Sequence, residues 1–549
     1  MITRRRTLQS ALASLPAFAL SIGSTRASDH GAFQHGVASG DPGPDSIVLW
    51  TRLTTGQPQA SVEWEVAMTS DFRTILTSGS ITTSPERDYT VKAVVSGLPP
   101  GVPLYYRFRH NDATSQIGRT RVLPMGSLDR LGIALVSCSN HAFGYFNAYD
   151  AIAHDMAIDY VLHTGDYLYE HGADDWGSVP ANRLHRQHKP AHEIVTLADY
   201  RLRHAQYKSD LGAQAMHAAH PLIALWDDHE SANNPWTAGA ENHQPATEGE
   251  WVTRRSAAIT AYYEWMPVRD PAHGADPKEF WRVYRFGALA TLITLETRHT
   301  ARSQQVEYAD YQSIIRDQGS RDQFMSEVLG APRRTMLSTA MEHVVQEALA
   351  NSIAAREPWR LIGNATPMAR ILVPDLEVAA ALPASLTSEA AQELRWKGRW
   401  NLPFYTDTWD GYPWARQRFY QQCREAGAQD LLVLTGDSHS FWANRLANDE
   451  GQPMGIEIGT AGVTSPGDFI DSGYDRSTAA RLDQTFTDLL DEVLWTDNLH
   501  QGYVRVVLTS SQAMADFIAV STVEQPNYTT SVLKTFRIGR REGLIDYLA

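Results

Sequence analysis

The sequence predicts an α/β (α+β) protein, with a small N-terminal β-sandwich domain ahead of a larger core in which strands alternate with helices. Three observations carry this prediction. Residues 33–124 read as short runs of alternating hydrophobicity divided by Gly and Pro turns, the pattern of a sandwich. From residue 131 onward, apolar strand-like runs alternate with segments of helical apolar spacing, which implies sheet with helices on its faces. Four of those apolar runs end in short polar signatures rich in Cys, Asp, His, Tyr and Asn. The chain has 549 residues, too many for one ordinary domain.

The elements follow in order. The consecutive arginines Arg4, Arg5 and Arg6 precede an apolar run over 11–22, and Thr25-Arg26-Ala27 offers small residues for cleavage. Residues 1–27 therefore resemble a twin-arginine signal peptide, read by the twin-arginine translocase and carrying an already folded protein to the periplasm or the medium. Thr7 stands where that signal usually has Phe, so Sec export remains an alternative. The clearest strands of the sandwich are 46–53, 61–68, 89–95 and 104–110, and Leu123-Pro124-Met125-Gly126 reads as the linker to a domain over 131–549. Helices are predicted over 146–155, 197–205 and 415–426. Residues 170–195 and 230–280 read as long polar insertions of the kind that form the walls or lid of a site. Strand runs at 503–509 and 515–521 are expected to complete a second sheet.

The four signatures carry the chemistry. They are Leu135-Val136-Ser137-Cys138-Ser139-Asn140, then His163-Thr164-Gly165-Asp166-Tyr167-Leu168-Tyr169-Glu170, then Leu225-Trp226-Asp227-Asp228-His229-Glu230, and last Leu434-Thr435-Gly436-Asp437-Ser438-His439. In α/β sheets ligands bind just outside the carboxyl ends of the strands, where all four signatures would lie. A single Gly-Asp at a strand end is more often a turn. Three acidic side chains and a His behind a buried strand are electrostatically costly unless a cation is present. The spacing Asp437-x-His439 puts both side chains on one side of an extended segment. The combination points to a polynuclear metal site and metal-assisted hydrolysis, of phosphate esters above all.

These residues resemble the calcineurin-like metallophosphoesterases, and within them the PhoD-type alkaline phosphatases. That branch has a Cys in the first block, Gly-Asp-Tyr-x-Tyr-Glu in the second, Trp-Asp-Asp-His-Glu in the third and Gly-Asp-x-His-x-x-Trp in the last. The chain matches at Cys138, Gly165 to Glu170, Trp226 to Glu230 and Gly436 to Trp442. Further matches are Phe33-Gln34-His35-Gly36-Val37-Ala38-Ser39-Gly40-Asp41-Pro42, Leu49-Trp50-Thr51-Arg52 and Trp409-Asp410-Gly411-Tyr412-Pro413, so the resemblance spans about residues 33–470. The chain departs from the pattern at Glu296-Thr297-Arg298, where the family commonly has Asp-Thr-Arg, and around Gly363-Asn364-Ala365-Thr366, where close relatives carry a Gln.

The resemblance implies a core of two packed β-sheets flanked by helices. It assigns Cys138, Asp166, Tyr169, Asp228, Asp437 and His439 as metal ligands, with Asp166 bridging two cations. Asn233 or Asn234 is a candidate neutral oxygen ligand for a hard cation, with Asn233 preferred. His229 corresponds to the residue that protonates the leaving group or holds the phosphate, and Asn140 is a candidate contact to metal or phosphate. Arg298 is a candidate for phosphate recognition, whereas Arg52 reads as a surface ion pair. The family's Fe3+ and Ca2+ are the expected cofactors, with Zn2+ or another divalent cation as alternatives. The implied reaction is metal-activated hydroxide attack on the phosphorus of a small-molecule phosphate ester. Phosphodiesterase activity of the phospholipase D kind is the alternative on the same site.

Composition excludes other classes. The net charge of −15 argues against general nucleic-acid binding. After the N-terminus no run of about 18 apolar residues reads as a transmembrane helix. The two cysteines, Cys138 and Cys423, are too few for a disulfide-stapled scaffold, and Cys423 reads as a small apolar core residue. No Gly-x-Ser-x-Gly nucleophile elbow is present. The remaining rival is an extracellular binding protein with a structural metal site, in which His229 would have no task.

Overall fold

The computed structural model describes residues 31–541 and 543–548; the expected signal peptide lies outside the described residues. Two sheets face one another. The first has ten strands. Its centre is the parallel trio Leu131–Val136, Tyr160–His163 and Leu222–Ala224, in register at Leu162↔Leu135 and Leu162↔Ile223. The second has seven strands, with Ala290–Thr294, Trp359–Gly363 and Leu431–Thr435 parallel at its centre. All six central strands are buried along their whole length, as Val-, Ile- and Leu-rich parallel strands covered on both faces must be.

One core fills the space between the sheets: Ile133, Leu135, Leu162 and Ile223 from the first meet Leu292, Leu361, Leu432 and Ile456 from the second. Helices Asn147–His154 and Trp251–Trp265 cover the outer face of the first sheet, and Thr339–Ala354 and Pro413–Glu425 that of the second. Because the inner strands run parallel, their carboxyl ends open on one rim, and the loops after them converge there.

The N-terminal region is a sandwich. A five-stranded sheet, with Ala60–Ala67 and Leu104–His110 at its centre, packs on Val37–Gly40, Ile47–Arg52 and Thr90–Val95 through Val62, Tyr106, Leu49 and Val91. Its second layer is the end of the ten-stranded sheet, because Val37–Gly40 pairs in parallel with Leu222–Ala224 at Gly40↔Leu222. Asp41 fastens the junction, accepting from the Arg269 N–H at 3.0 Å and the Tyr284 hydroxyl at 3.1 Å.

Two expectations need correction. The tail strands Gly502–Leu508 and Ala513–Val520 join the first sheet, where Val506 pairs antiparallel with Ile133. Leu131–Val136 is fully buried and has its parallel neighbour on one side only, so an open second edge would leave buried backbone groups unpaired. The segment 230–280 is not a polar loop throughout, since Trp251–Trp265 is a helix burying Trp251, Ile259, Tyr262 and Trp265. Arg52 makes the expected ion pair, with Asp88 at 2.8 Å. Both cysteines are free and buried. No helix among the described residues is long and apolar enough to cross a membrane.

Candidate metal centre

Every strand-end signature reaches the same rim. Cys138, Asp166, Asp437 and His439 all sit in left-handed backbone, with φ of 59°, 56°, 66° and 52°. Non-glycine residues pay about 1 kcal/mol or more for that conformation, and such strain gathers at functional sites. The loops are also in tight contact. A Cβ on Gly165 would lie 2.4 Å from the Asp227 Cβ, and one on Gly436 would lie 2.2 Å from Ser137 Oγ. Glycine at these two positions is what lets the strand ends meet.

Four donor groups form here among the described residues; two of them include His229, and the other two are built without it. In the first, ligand atoms of Cys138, Asp166 and His439 lie within 4.8 Å of one another. Tyr169 completes it, with its hydroxyl 3.2 Å from Asp166 Oδ2, 3.3 Å from His439 Nε2 and 2.9 Å from Ser465 Oγ. In the second, oxygens of Asp166, Asp227, Asp228 and Asp437 lie within 4.8 Å of one another. Asp166 belongs to both.

Arg298 is the cation among these carboxylates. Its Nε donates to Asp227 Oδ1 at 2.5 Å, and its NH2 lies 3.6 Å from Asp437 and 3.8 Å from Asp228. Burial opposes its charge, but Asp227 and Asp228 keep the guanidinium firmly protonated. Glu296 shapes this loop by accepting from Trp226 Nε1 and from the backbone N–H groups of Arg298, His299 and Thr300. The departure from the family's Asp therefore falls on a buried brace and not on a donor group. Asn364 is likewise internal, bonding Trp409 Nε1 and the Thr366 carbonyl.

The charge balance of the pocket is unfavourable without cations. Burial, then Asp228 and Asp227, push the Asp166 carboxyl well above the carboxylate range, and burial with Asp227 and Asp407 does the same to Asp437. Burial and Asp166 push up the Cys138 thiol and the Tyr169 phenol. Asp166 Oδ1, Asp227 Oδ2 and Asp228 Oδ1 are buried without a hydrogen-bond partner, which is costly for carboxylates. These residues fit metal ions: thiol, imidazole and phenol suit a softer or more highly charged cation, and the all-oxygen group suits a hard one.

His229 stands beside both groups. Its Nδ1 donates to Glu170 Oε2 at 2.7 Å, and its ring packs on Tyr169 with centroids 4.1 Å apart. Burial opposes protonation, but Asp228 and Glu170 raise its pKa to about 9. It lines a 400 Å³ cleft with His439, Trp176 and Asn233. Asn233 is at the mouth of this cleft; its Nδ2 donates to Glu241 at 3.2 Å. Asn234 donates from Nδ2 to the same Glu241 oxygen at 2.8 Å, while its Oδ1 accepts from Arg298 at 3.4 Å. Asn140 is buried, its Oδ1 capping the Ala142 N–H at 3.0 Å and its Nδ2 left without a partner.

Several further residues build the site. Asp227 is part of the carboxylate group. Glu170 anchors His229, a role its place at the end of the Gly-Asp-Tyr-x-Tyr-Glu block could have signalled. Glu230 ties two loops by accepting from the N–H groups of Asp166, Tyr167 and Asp227. Ser465, in contact with Tyr169, carried no local signal.

Two sheets packed face to face, with a buried sulfur, nitrogen and carboxylate cluster where their central strands end, have the arrangement expected of a hydrolase of phosphoric esters. Comparison with known proteins narrows this class. Residues 133–517 match the PhoD-like phosphatase model, and residues 18–124 match the model of the PhoD-like phosphatase N-terminal domain. The chain is 32% identical over 551 residues to alkaline phosphatase D of Bacillus subtilis (strain 168), covering 94% of this chain and 85% of that protein. A solved structure of PhoD superposes with a TM-score of 0.77 at 29% identity, covering 94% of this chain and 92% of the other. The chain belongs to the PhoD-like phosphatase family.

Proposed function

We propose that the protein is an exported, metal-dependent alkaline phosphatase, and that the observation carrying this reading is the membership of Asp166 in both donor groups built without His229. Cys138, Asp166, Tyr169 and His439 would hold Fe3+. Asp166, Asp228, Asp437 and Asn233 would hold Ca2+, with Zn2+ or another divalent cation as substitutes. Asn233 is favoured over Asn234 because the Oδ1 of Asn234 already accepts from Arg298. When bound, the cations supply Lewis-acid activation of water and neutralise charge on the phosphoryl oxygens.

The chain's own residues do the rest. Water adds to phosphorus opposite the departing alcohol, and the P–O bond to that alcohol breaks. His229, held through Nδ1 by Glu170, delivers a proton from Nε2 to the departing oxygen and regains one from the attacking water. Arg298 keeps the carboxylates in place and offsets their charge. Asn140 offers its unpartnered Nδ2 to a phosphoryl oxygen. No protein nucleophile takes part.

A second reading, phosphodiesterase activity, is favoured by one feature: no Lys or Arg is among the described residues lining the cleft, and a diester carries one negative charge fewer than a monoester. Residues 1–27 would direct export through the twin-arginine translocase to the periplasm or the medium; replacing Arg4, Arg5 and Arg6 by Lys should retain the protein in the cytoplasm. The deciding experiment is metal analysis of the purified protein together with hydrolysis of an aryl phosphate monoester and a bis-aryl phosphate. Iron with calcium and faster monoester turnover supports the first reading. Active protein free of metal would overturn both.

A further inference from the structure

Trp176 stands in the cleft and has no part in the chemistry described above. Its ring runs nearly parallel to both imidazoles of the site, with centroids 6.4 Å from His229 at 15° and 5.7 Å from His439 at 14°. Phe143 packs against it with centroids 4.8 Å apart. Its Nε1 donates to both oxygens of Asp471, at 3.1 and 3.2 Å. The ring is nevertheless only half-buried and lines the open cleft. An indole pinned at its edge by a carboxylate has given up its rotational freedom before any ligand arrives, which is the condition for a pre-organised contact.

The direction of the chemistry says what that contact is. Glu170 occupies Nδ1 of His229, so Nε2 is the nitrogen that meets the departing oxygen. An alcohol protonated by His229 would lie alongside that ring; Tyr169, 4.1 Å from it, is fully buried, whereas Trp176 shares the cleft lining with His229. The lining is acidic, with Asp175 directly before Trp176 and accepting from its N–H at 2.8 Å, Glu241 as a second carboxylate, and no Lys or Arg among the described lining residues. Such a rim repels a negatively charged alcohol and tolerates a neutral or cationic one.

We propose that Trp176, held in place by Asp471, is the platform for the leaving alcohol, and that it selects phosphate esters whose alcohol carries a flat or ring portion without negative charge. The proposal rests on His229 as the proton donor. Trp176 touches substrate; Asp471 is a positioning residue acting through it.

The test uses the metal-loaded enzyme with esters of phenol, 3-carboxyphenol and glycerol, each as the monophosphate and as the methyl diester, the faster series being read. The wild type should prefer phenyl over 3-carboxyphenyl by about tenfold in kcat/KM. Trp176→Ala should lower the phenyl-to-glycerol selectivity ratio by about five- to tenfold, mainly through KM, as loss of an aromatic contact does. Trp176→Phe should restore most of it, and Asp471→Ala should shift the ratio in the same direction by less. If Trp176→Ala lowers all esters equally, or if the wild type treats the two aryl esters alike, the platform is overturned while the phosphatase reading stands. If the wild type turns over no ester in either series, both fall.

Discussion

Glu170 and His229 share a buried hydrogen bond of 2.7 Å between Oε2 and Nδ1. The other oxygen of Glu170 accepts from the Asn233 N–H at 2.7 Å and Asn242 Nδ2 at 2.9 Å. Burial opposes ionisation of Glu170, but His229 and His171 hold its carboxyl well below the usual range. An ionised carboxylate that only accepts fixes the His229 proton on Nδ1, which under the proposed mechanism leaves Nε2 to serve the substrate. Glu170→Gln should therefore lower kcat by about 10- to 100-fold, and His229→Ala by about 10²- to 10⁴-fold. Both losses should be larger for phenyl than for 4-nitrophenyl phosphate, because a good leaving group needs less protonation. Equal losses on the two esters would remove His229 from the role of proton donor.

The sulfur and phenol donors predict a colour. Cys138 and Tyr169 both adjoin Asp166, at 3.4 and 3.2 Å, and thiolate and phenolate ligands on ferric iron absorb visible light. The purified protein should show a charge-transfer band, which Cys138→Ala and Tyr169→Phe should each shift or abolish. A visible spectrum of each variant at matched iron content checks this. A band unchanged in both variants, or no band at all, would overturn the assignment of iron to Cys138 and Tyr169.

Much of this site was legible in the sequence because each donor follows its strand within a few residues, as Asp166 follows Tyr160–His163. What was not legible lies far away in the chain. Asp227 meets Arg298 71 residues on, and Tyr169 meets Ser465 296 residues on; no local pattern announces either pair. The helix Trp251–Trp265 reads as polar for a different reason. Its inner face buries Arg254, paired with Glu193 at 2.6 Å, and Glu264, paired with Arg201 at 2.6 Å, so charges interrupt the apolar stripe. The sheet choice of the tail strands depended on which edge of Leu131–Val136 was open, and periodicity does not contain that.

Arg298 is buried within reach of Asp227, Asp228, Asp407 and Asp437. Removing one partner from a buried ion network leaves uncompensated charge and costs about 3–5 kcal/mol. Bound cations would carry part of the same task. Arg298→Met should therefore destabilise the chelator-treated protein by about that amount and the metal-loaded protein by clearly less. Denaturant unfolding of wild type and variant, with and without chelator, reads the difference. Equal losses in the two states would mean that the guanidinium and the cations do not share the carboxylates.

His220 offers a titration remote from the donor groups. It caps the helix Leu211–Ala219, is buried, and its Nε2 donates to the Ile152 carbonyl at 3.0 Å. Burial, then Arg119, lower its pKa to about 4; Arg121 adds to this, while the bond to Ile152 and the charge of Asp155 oppose it. The folded state thus holds the ring neutral where the unfolded chain, with a pKa of about 6.5, binds a proton. The stability that the neutral ring contributes is complete above about pH 6.5 and is lost as the pH falls from there towards 4, at about 1.4 kcal/mol per pH unit. His220→Gln keeps a donor for Ile152 but does not titrate. Other buried groups titrate in the same range in both proteins, so the quantity to measure is the difference between wild type and variant. Relative to wild type, the variant should gain about 2 kcal/mol between pH 8 and pH 5 in denaturant unfolding. A difference that stays constant over that interval would mean that His220 keeps its proton on folding and that Asp155 outweighs burial.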